Sequence, residues 1–570
     1  FHTGVLKQNC GPYVGKTVRE VKDILIHDFK KLGVADSMYD LPDPVICRCM
    51  TQCIVKILSD QWFLNYSDPA WKNRAKDTVA QMTIYPDSAR QWFIAVIDWL
   101  KEWACARTTG FGTPLPWGEG WIIETLSDST IYMTFYTINK HIQQHNIEPE
   151  ALRPEVFDYI FYGKGGEDAL SKTSGISAEL LKKMRAEFLY WYPFDLRVSA
   201  KELVPNHLTF CIFHHAALFP KEKWPRAVGV NGMLMIEGKQ MHKSKGNFVT
   251  MKNAVEQYGA DATRCALLLG AEGMDDPDWR SENAADIQSK LQALSNLALG
   301  IIEATKSDEV GHMEKWLLSR LQQRIADVTQ SLEALKTRTA VEIALFEVWN
   351  DFRWYARRKG KTEAKTVCEA LEVWLRLLAP FAPYMCEELW SATGKDEFIS
   401  LAEWPQLDQA MVHVLAEERE NMLIDLVDDT LNVVKATKIA PSRICYYSAA
   451  AWKWKVYSSL LTRAVEGEIK VGEVMREFAQ DPSLKANMKA VAGFVPKVLK
   501  TLSKLPVERK RRLANVDLTD ERIFIKSALD FLEERFSAKV AVYSEEDEAL
   551  YDPKNRATLA IPGQPAIYIE

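Results

Sequence analysis

An apolar run, Gly232-Met233-Leu234-Met235-Ile236, leads directly into Lys239-Gln240-Met241-His242-Lys243-Ser244-Lys245-Gly246-Asn247. A helical pattern follows from Ala254 to Leu269. The apolar run reads as the end of a strand that begins at Ala227, so the lysines fall on a loop between strand and helix. A strand–loop–helix unit of this kind belongs to an α/β sheet whose site lies at the carboxyl ends of its strands. A cationic, hydroxyl-bearing loop there suits a triphosphate. Lysine is a compact charge on a flexible stem, and backbone N–H groups add donors. Lys243 is the residue placed against the pyrophosphate. Ser244 and the backbone around Gly246 would orient it, and Lys239 and Lys245 would add field. Taken alone, such a turn is also an ordinary solvated surface.

The rest of the chain must agree. At 570 residues it is too long for one core, and roughly three to four domains are expected. No run of about 18 apolar residues occurs, so no membrane-spanning helix is expected. Ten scattered cysteines point to free thiols in a reducing, cytoplasmic compartment. Cys47, Cys49 and Cys53 cluster, but no second cysteine pair or nearby histidines accompany them, so no zinc site is expected. The net charge of −6 is uneven. Lys435 to Arg512 carries 17 Lys/Arg against 6 Asp/Glu. Such a segment suits contact with nucleic-acid phosphates, or is a solvated helical surface. The first residue is Phe1, with no leader pattern after it, so the chain is expected to begin inside a longer product or after processing.

Four regions follow from the patterning. Residues 1–45 hold one helix, Val18 to Leu32, and a turn-rich break at Asp36 to Pro44. Residues 46–280 mix aromatic-rich short helices with apolar strands. Residues 281–435 are dominated by long helical patterns, including Trp316 to Leu335 and Thr339 to Arg358, and read as an antiparallel bundle. Leu377-Leu378-Ala379-Pro380-Phe381-Ala382-Pro383 breaks that bundle once, and a helix restarts at Tyr384. Residues 436–570 alternate strands (Ile444 to Tyr447, Val540 to Tyr543) with basic helices, as a small α+β module.

Three further blocks carry candidate chemistry. Arg107-Thr108-Thr109-Gly110-Phe111-Gly112-Thr113-Pro114-Leu115-Pro116-Trp117 cannot be helical and must be a shaped loop. Trp121 to Met133 contains Leu126, Ser129 and Tyr132, and its apolar and aromatic residues are by default core. In Arg197 to His207, Glu202 and His207 stand five residues apart, near the start of a helix running to His215. A carboxylate there can accept both hydroxyls of a ribose.

Together, and in this order, the blocks resemble the leucyl-tRNA synthetases of the archaeal and eukaryotic cytosolic type. The lysine loop looks like the KMSKS signature of class I aminoacyl-tRNA synthetases. The Asp351-Phe352-Arg353-Trp354-Tyr355 and Trp374 to Trp390 segments look like their anticodon-binding domain. The resemblance implies a partial Rossmann-like catalytic fold over 46–280, preceded by the end of an inserted editing domain over 1–45. It implies a helix-bundle anticodon-binding domain over 281–435 and a tRNA-binding α+β domain over 436–570. The implied activity joins leucine to ATP, releases pyrophosphate and passes leucyl to tRNA(Leu). ATP enters with Mg2+ as substrate, and no tightly bound cofactor is implied. Lys243 and Ser244 would be catalytic. Glu202, His207, Met241, His242, Lys243, Ser244, Gly246 and Asn247 would bind ATP. Leu126, Ser129, Tyr132 and His207 would bind leucine.

The chain departs from the family pattern in four ways. The HIGH signature and the first half of the catalytic fold are missing. Most of the editing domain is missing. Gln240 and His242 stand where the lysine signature has Lys and Ser. Ala200 replaces the glycine usual before the ribose carboxylate. The expectation is a C-terminal portion that is inactive alone, completed in the enzyme by an N-terminal half or partner chain. The alternatives are an isoleucine or valine sibling, and a non-catalytic tRNA-binding or scaffold protein.

Overall fold

The computed structural model describes residues 3–47, 49–57, 60–241, 246–360, 364–467 and 469–570. They form two compact units, one of Phe1–Pro69 with Leu100–Tyr132, the other of Ala70–Trp99 with Met133–Glu570.

The first unit is built from small pieces. The helix Val18–Lys31 starts at Thr17, whose hydroxyl accepts from the Glu20 N–H while Glu20 caps the Thr17 N–H in return. That reciprocal cap satisfies two donors that a helix start leaves open. Phe63–Asn65 pairs antiparallel with Glu102–Ala104, and Ala106–Arg107 with Ile122–Ile123. The Gly110–Trp117 stretch is a loop, as its glycines and prolines require. Gly112 is obligatory in it, because a Cβ there would lie 2.2 Å from the Ile123 carbonyl oxygen.

The second unit holds a three-stranded parallel sheet in the order Thr83–Tyr85, Ala227–Asn231, Arg197–Ala200. The central strand is buried along Ala227–Val230. The strand expected to run to Ile236 ends at Asn231, because Gly232 passes directly against another segment. Its Cβ would stand 2.0 Å from the Asp275 carbonyl oxygen. The chain then forms a hairpin, Met235–Ile236 with Lys239–Gln240, turning at Glu237 and Gly238 with φ of 49° and 73°. Met235–Ile236 also pairs in parallel with Asp278–Trp279. The helix expected over Ala254–Leu269 is two helices, Met251–Tyr258 and Ala260–Leu269, broken at Gly259 where φ is +83°.

The long helices Ser281–Glu303, His312–Glu333, Val348–Lys359, Lys365–Leu378, Pro383–Ala392 and Val414–Thr437 follow. Trp374 is fully buried among them, stacked 4.7 Å from Phe352, with its Nε1–H donating to the Ala344 carbonyl at 2.7 Å. Their interior also carries charge. Glu420, 0% exposed, accepts hydrogen bonds from Trp354, Arg358 and His312. The apolar core runs from this bundle into the C-terminal module through Ile444, Tyr446, Val540 and Ile569. There Arg443–Ser448 is the central strand, parallel to Lys539–Ser544 and antiparallel to Ala566–Ile569. Among the described residues, no helix is long and apolar enough to cross a membrane.

Candidate active site

A cleft of about 860 Å3 opens at the carboxyl ends of the three parallel strands. Tyr85, Ala200 and Asn231 line one side, Gly232 to Leu234 continue it, and Glu272 to Asp275 close it. This is where an open α/β sheet places ligands, because the helices and loops that follow its strands diverge there.

Two structures flank the cleft, and one acidic segment ties them together. The strand Arg197–Ala200 turns at Lys201–Leu203, which presents Glu202 to solvent. The neighbouring Lys201 places Nζ 2.6 Å from Asp276 Oδ1 and donates to the Met274 carbonyl at 3.2 Å. The same Asp276 oxygen accepts the Met233 N–H at 2.7 Å. Two residues on, Asp278 accepts the Gly238 N–H of the hairpin turn at 2.8 Å and pairs with Arg280 at 2.9 Å. Lys201, then the Met233 N–H, hold the Asp276 carboxyl below the usual carboxylate range. The Gly238 N–H does the same for Asp278, with Arg280 adding to it. Residues 274–280 therefore clamp the turn bearing Glu202, the end of the central strand and the hairpin in one frame.

The hairpin delivers the lysine loop. Lys239 and Gln240 form its second strand, not the loop expected for them. Met241 is half-buried. His242, Lys243 and Ser244, with Lys245, lie outside the described residues. On the far side, Gly246 has φ +71°, a turn conformation that favours glycine. Asn247 donates from Nδ2 to the Gln240 carbonyl at 2.7 Å, so the two ends of the loop are stapled together.

His207 sits elsewhere in this unit. It is 7% exposed, and its Nε2 lies 2.5 Å from Arg197 Nη2. Arginine can only donate, so Nε2 accepts and the imidazole is neutral with its proton on Nδ1. On the next turns, His215 Nδ1 is 2.8 Å from the Cys211 carbonyl and Nε2 is 3.3 Å from the Tyr192 hydroxyl. Burial pushes the His215 imidazole down to about 4. The half-buried His214 is pushed down to about 4 as well, first by loss of hydration and then by His215 and His207, and it stacks 6.0 Å from Trp71.

Leu126, Ser129 and Tyr132 belong to the other unit. Leu126 is half-buried on the short helix Thr125–Asp128, capped by Glu124. Ser129 ends that helix, and Tyr132 is 40% exposed. Arg107 donates to the Thr125 hydroxyl at 2.9 Å and the Thr113 hydroxyl to Asp128 at 2.7 Å, which ties this wall to the glycine–proline loop. Cys47 and Cys49 are exposed on a tight hairpin. Among the described residues, no group of three or more His, Cys, Asp or Glu is placed to hold a metal ion.

Sequence reasoning missed Lys201, Asp276, Asp278 and Gly232. The available signal was the Asp-Pro-Asp stretch at 276–278, too acidic for a passive link after an apolar helix. Charge counting also overstated the free basic surface. Arg509 and Arg512 are spent on Glu418 and Glu417. Lys453, 4% exposed, is spent on Glu545 and two backbone carbonyls. The helix Met488–Lys504 is different. It holds no acid, buries Val491, Val495, Val498 and Leu502, and exposes Lys489, Lys497, Lys500 and Lys504 on its other face.

The model for tRNA synthetases class I (I, L, M and V) matches residues 19–280, and that for the anticodon-binding domain of tRNA ligase matches residues 314–444. In the matched order, these segments are similar to a class I tRNA synthetase region followed by an anticodon-binding domain. A leucine–tRNA ligase of Methanococcoides burtonii is 40% identical over the whole chain, one of Archaeoglobus fulgidus 41% and one of Pyrococcus abyssi 39%. Over its whole length the chain is thus similar to leucine–tRNA ligases. It spans 58–59% of the length of those relatives. A solved ternary complex of an Agrobacterium radiobacter LeuRS with tRNA and LeuAMS aligns with 60% of this chain and 37% of its own, at 18% identity and a TM-score of 0.38. That overlap is too partial to bear on the fold.

Proposed function

We propose that this chain carries the lysine-loop side of the ATP site, and the tRNA-binding body, of a leucine–tRNA ligase. The observation that carries the reading is the clamped cleft at the strand ends. One acidic segment holds both the Glu202 turn and the stapled base of the lysine loop beside it. Glu202 accepts the ribose hydroxyls of ATP. Lys243 meets the pyrophosphate as charge develops, with Ser244 and the N–H groups near Gly246 orienting it. Met241, His242 and Asn247 complete the loop's contact with ATP, which enters with Mg2+ as substrate.

Leu126, Ser129 and Tyr132 wall the leucine side chain, and His207 lines the amino-acid pocket as a neutral imidazole. Leucyl then passes from the adenylate to the 3′ end of tRNA(Leu). No covalent enzyme intermediate is needed, so positioning and charge stabilisation carry both steps. The bundle and the lysine face of Met488–Lys504 hold the tRNA body through its phosphates. The four regions 1–45, 46–280, 281–435 and 436–570 divide this labour, and the compartment is cytoplasmic.

The test is ATP–pyrophosphate exchange, using this chain joined to the N-terminal portion of an archaeal relative. Leucine is expected to drive exchange at least about tenfold faster than valine, the lower bound that one methylene supplies in an apolar pocket, and faster than its isomer isoleucine, which differs only in where it branches. Exchange driven best by isoleucine or valine would overturn the assignment of leucine.

A further inference from the structure

A second cavity, of about 110 Å3, lies where the Val414–Thr437 helix meets the C-terminal module. It shares no lining residue with the strand-end cleft. Its wall combines aromatic rings with carboxylates. Trp454 and Tyr457 are each 8% exposed, and Leu461 packs beside them at 3%. Burial holds the Tyr457 phenol neutral, pushed up to about 12.

Three acids, Glu418, Asp425 and Asp517, and one cation, Arg509, are among the lining residues, and Arg512 pairs with Glu418 from outside the lining. The Asp517 carboxylate is occupied by the Thr519 N–H and hydroxyl at 2.9 and 2.6 Å. Glu418 is 2% exposed. Its Oε1 takes Arg512 Nε at 3.2 Å. Its Oε2 receives no hydrogen bond among the described residues, although Arg509 Nη2 stands 3.1 Å away. Asp425 follows Glu418 two helical turns on. Its residue surface is exposed, yet its carboxyl is pushed up, first by loss of hydration and then by Asp429 and Asp428, while Arg509 pulls it down.

A buried carboxylate oxygen that lacks a hydrogen bond, such as Glu418 Oε2, gains from a ligand that brings a positive N–H or N–CH3 group. Indole and phenol faces attract the same charge. A cavity of about 150 Å3 takes a benzene-sized molecule, so this one takes roughly four to six heavy atoms.

We propose that this cavity is a binding site for a small organic ammonium, its charge against Glu418 and Asp425 and its carbons against Trp454 and Tyr457. The site is independent of the ligase reading.

Isothermal titration of the chain with n-butylammonium, tetramethylammonium and neutral 1-butanol tests it. Both cations are expected to bind at least about tenfold more tightly than the alcohol, as a desolvated cation–π contact allows. Asp425→Asn, at a residue with an exposed surface, is expected to weaken the cations about tenfold and leave the alcohol unchanged. Leu461→Phe fills the cavity and is expected to abolish binding of all three, with circular dichroism confirming the fold. Cations that bind no better than 1-butanol would overturn the proposal. So would cation binding that survives both substitutions, since it would then lie elsewhere.

Discussion

Replacing Glu420 by Gln removes one charge and almost no volume from the helix bundle. The consequence follows from four donors. Oε1 accepts from His312 Nε2 at 3.0 Å and Arg358 Nη2 at 3.1 Å, and Oε2 accepts from Trp354 Nε1 at 2.7 Å and Arg358 Nε at 3.0 Å. A glutamine amide must turn its NH2 toward two of these donors. Two hydrogen bonds are lost, and Arg358, whose side chain is 7% exposed, keeps a charge with no counterion among the described residues. Breaking a buried pair from one side costs about 3–5 kcal/mol. For a bundle of this size that is a fall of roughly 6–20 °C in unfolding temperature.

The pH dependence adds a signature. Burial pushes the Glu420 carboxyl up, but the His312 and Arg358 hydrogen bonds outweigh it and hold it below the usual glutamate value. Its stabilisation is therefore present above the unfolded value and lost as pH falls through the lower folded one. The gap between wild type and Glu420→Gln should narrow over that acidic range. Differential scanning fluorimetry across pH 3.5–8 measures both effects. A neutral-pH difference under about 1 kcal/mol, the level of an exposed pair, would refute the claim that this hub is a buried, obligate network.

Three further predictions concern other parts of the molecule. The His215 imidazole, 0% exposed, should titrate near 4 by NMR. Because its folded value lies below the unfolded value of about 6.5, the unfolded chain binds more protons between the two, and stability worth about 3 kcal/mol should be lost as pH falls from 6.5 to 4. A midpoint near 6.5 contradicts this. Gly232→Ala puts a Cβ at 2.0 Å from the Asp275 carbonyl and must push the 274–280 clamp away. In the completed enzyme this should cut kcat/KM for pyrophosphate exchange about 100-fold, as a displacement of about 1 Å at a positioned site does. Changing Lys497 and Lys500 to Gln should lower the slope of log affinity for tRNA against log salt by about 1–2, and an unchanged slope would remove that face from the interface.

Much of the fold was legible because periodicity and punctuation are local. The helix at Val18, the non-helical Gly110–Trp117 loop, the break at Ala379–Ala382 and the strands at 444–447 and 540–543 all show in the sequence. Gly259 was legible in kind, yet a helical pattern on both sides hid the break. The frame of the candidate site was not legible. Lys201 meets Asp276 across 75 residues, and Gly232 meets Asp275 across 43. No spacing rule reports such approaches, since they depend on how the strand ends and the second helix pack. The basic segment failed for a related reason. Charge counting cannot tell Arg512, locked onto Glu417, from Lys500, which faces water.

The strand-end cleft is proposed to receive ATP. Photolabelling with an azido-adenine analogue of ATP, on the chain joined to the N-terminal portion of a relative, tests it most directly. The label is expected in peptides covering 198–202, 229–234 or 271–275, and excess ATP should suppress it. Label found only outside these peptides, or label there that ATP does not displace, would contradict ATP binding in the cleft.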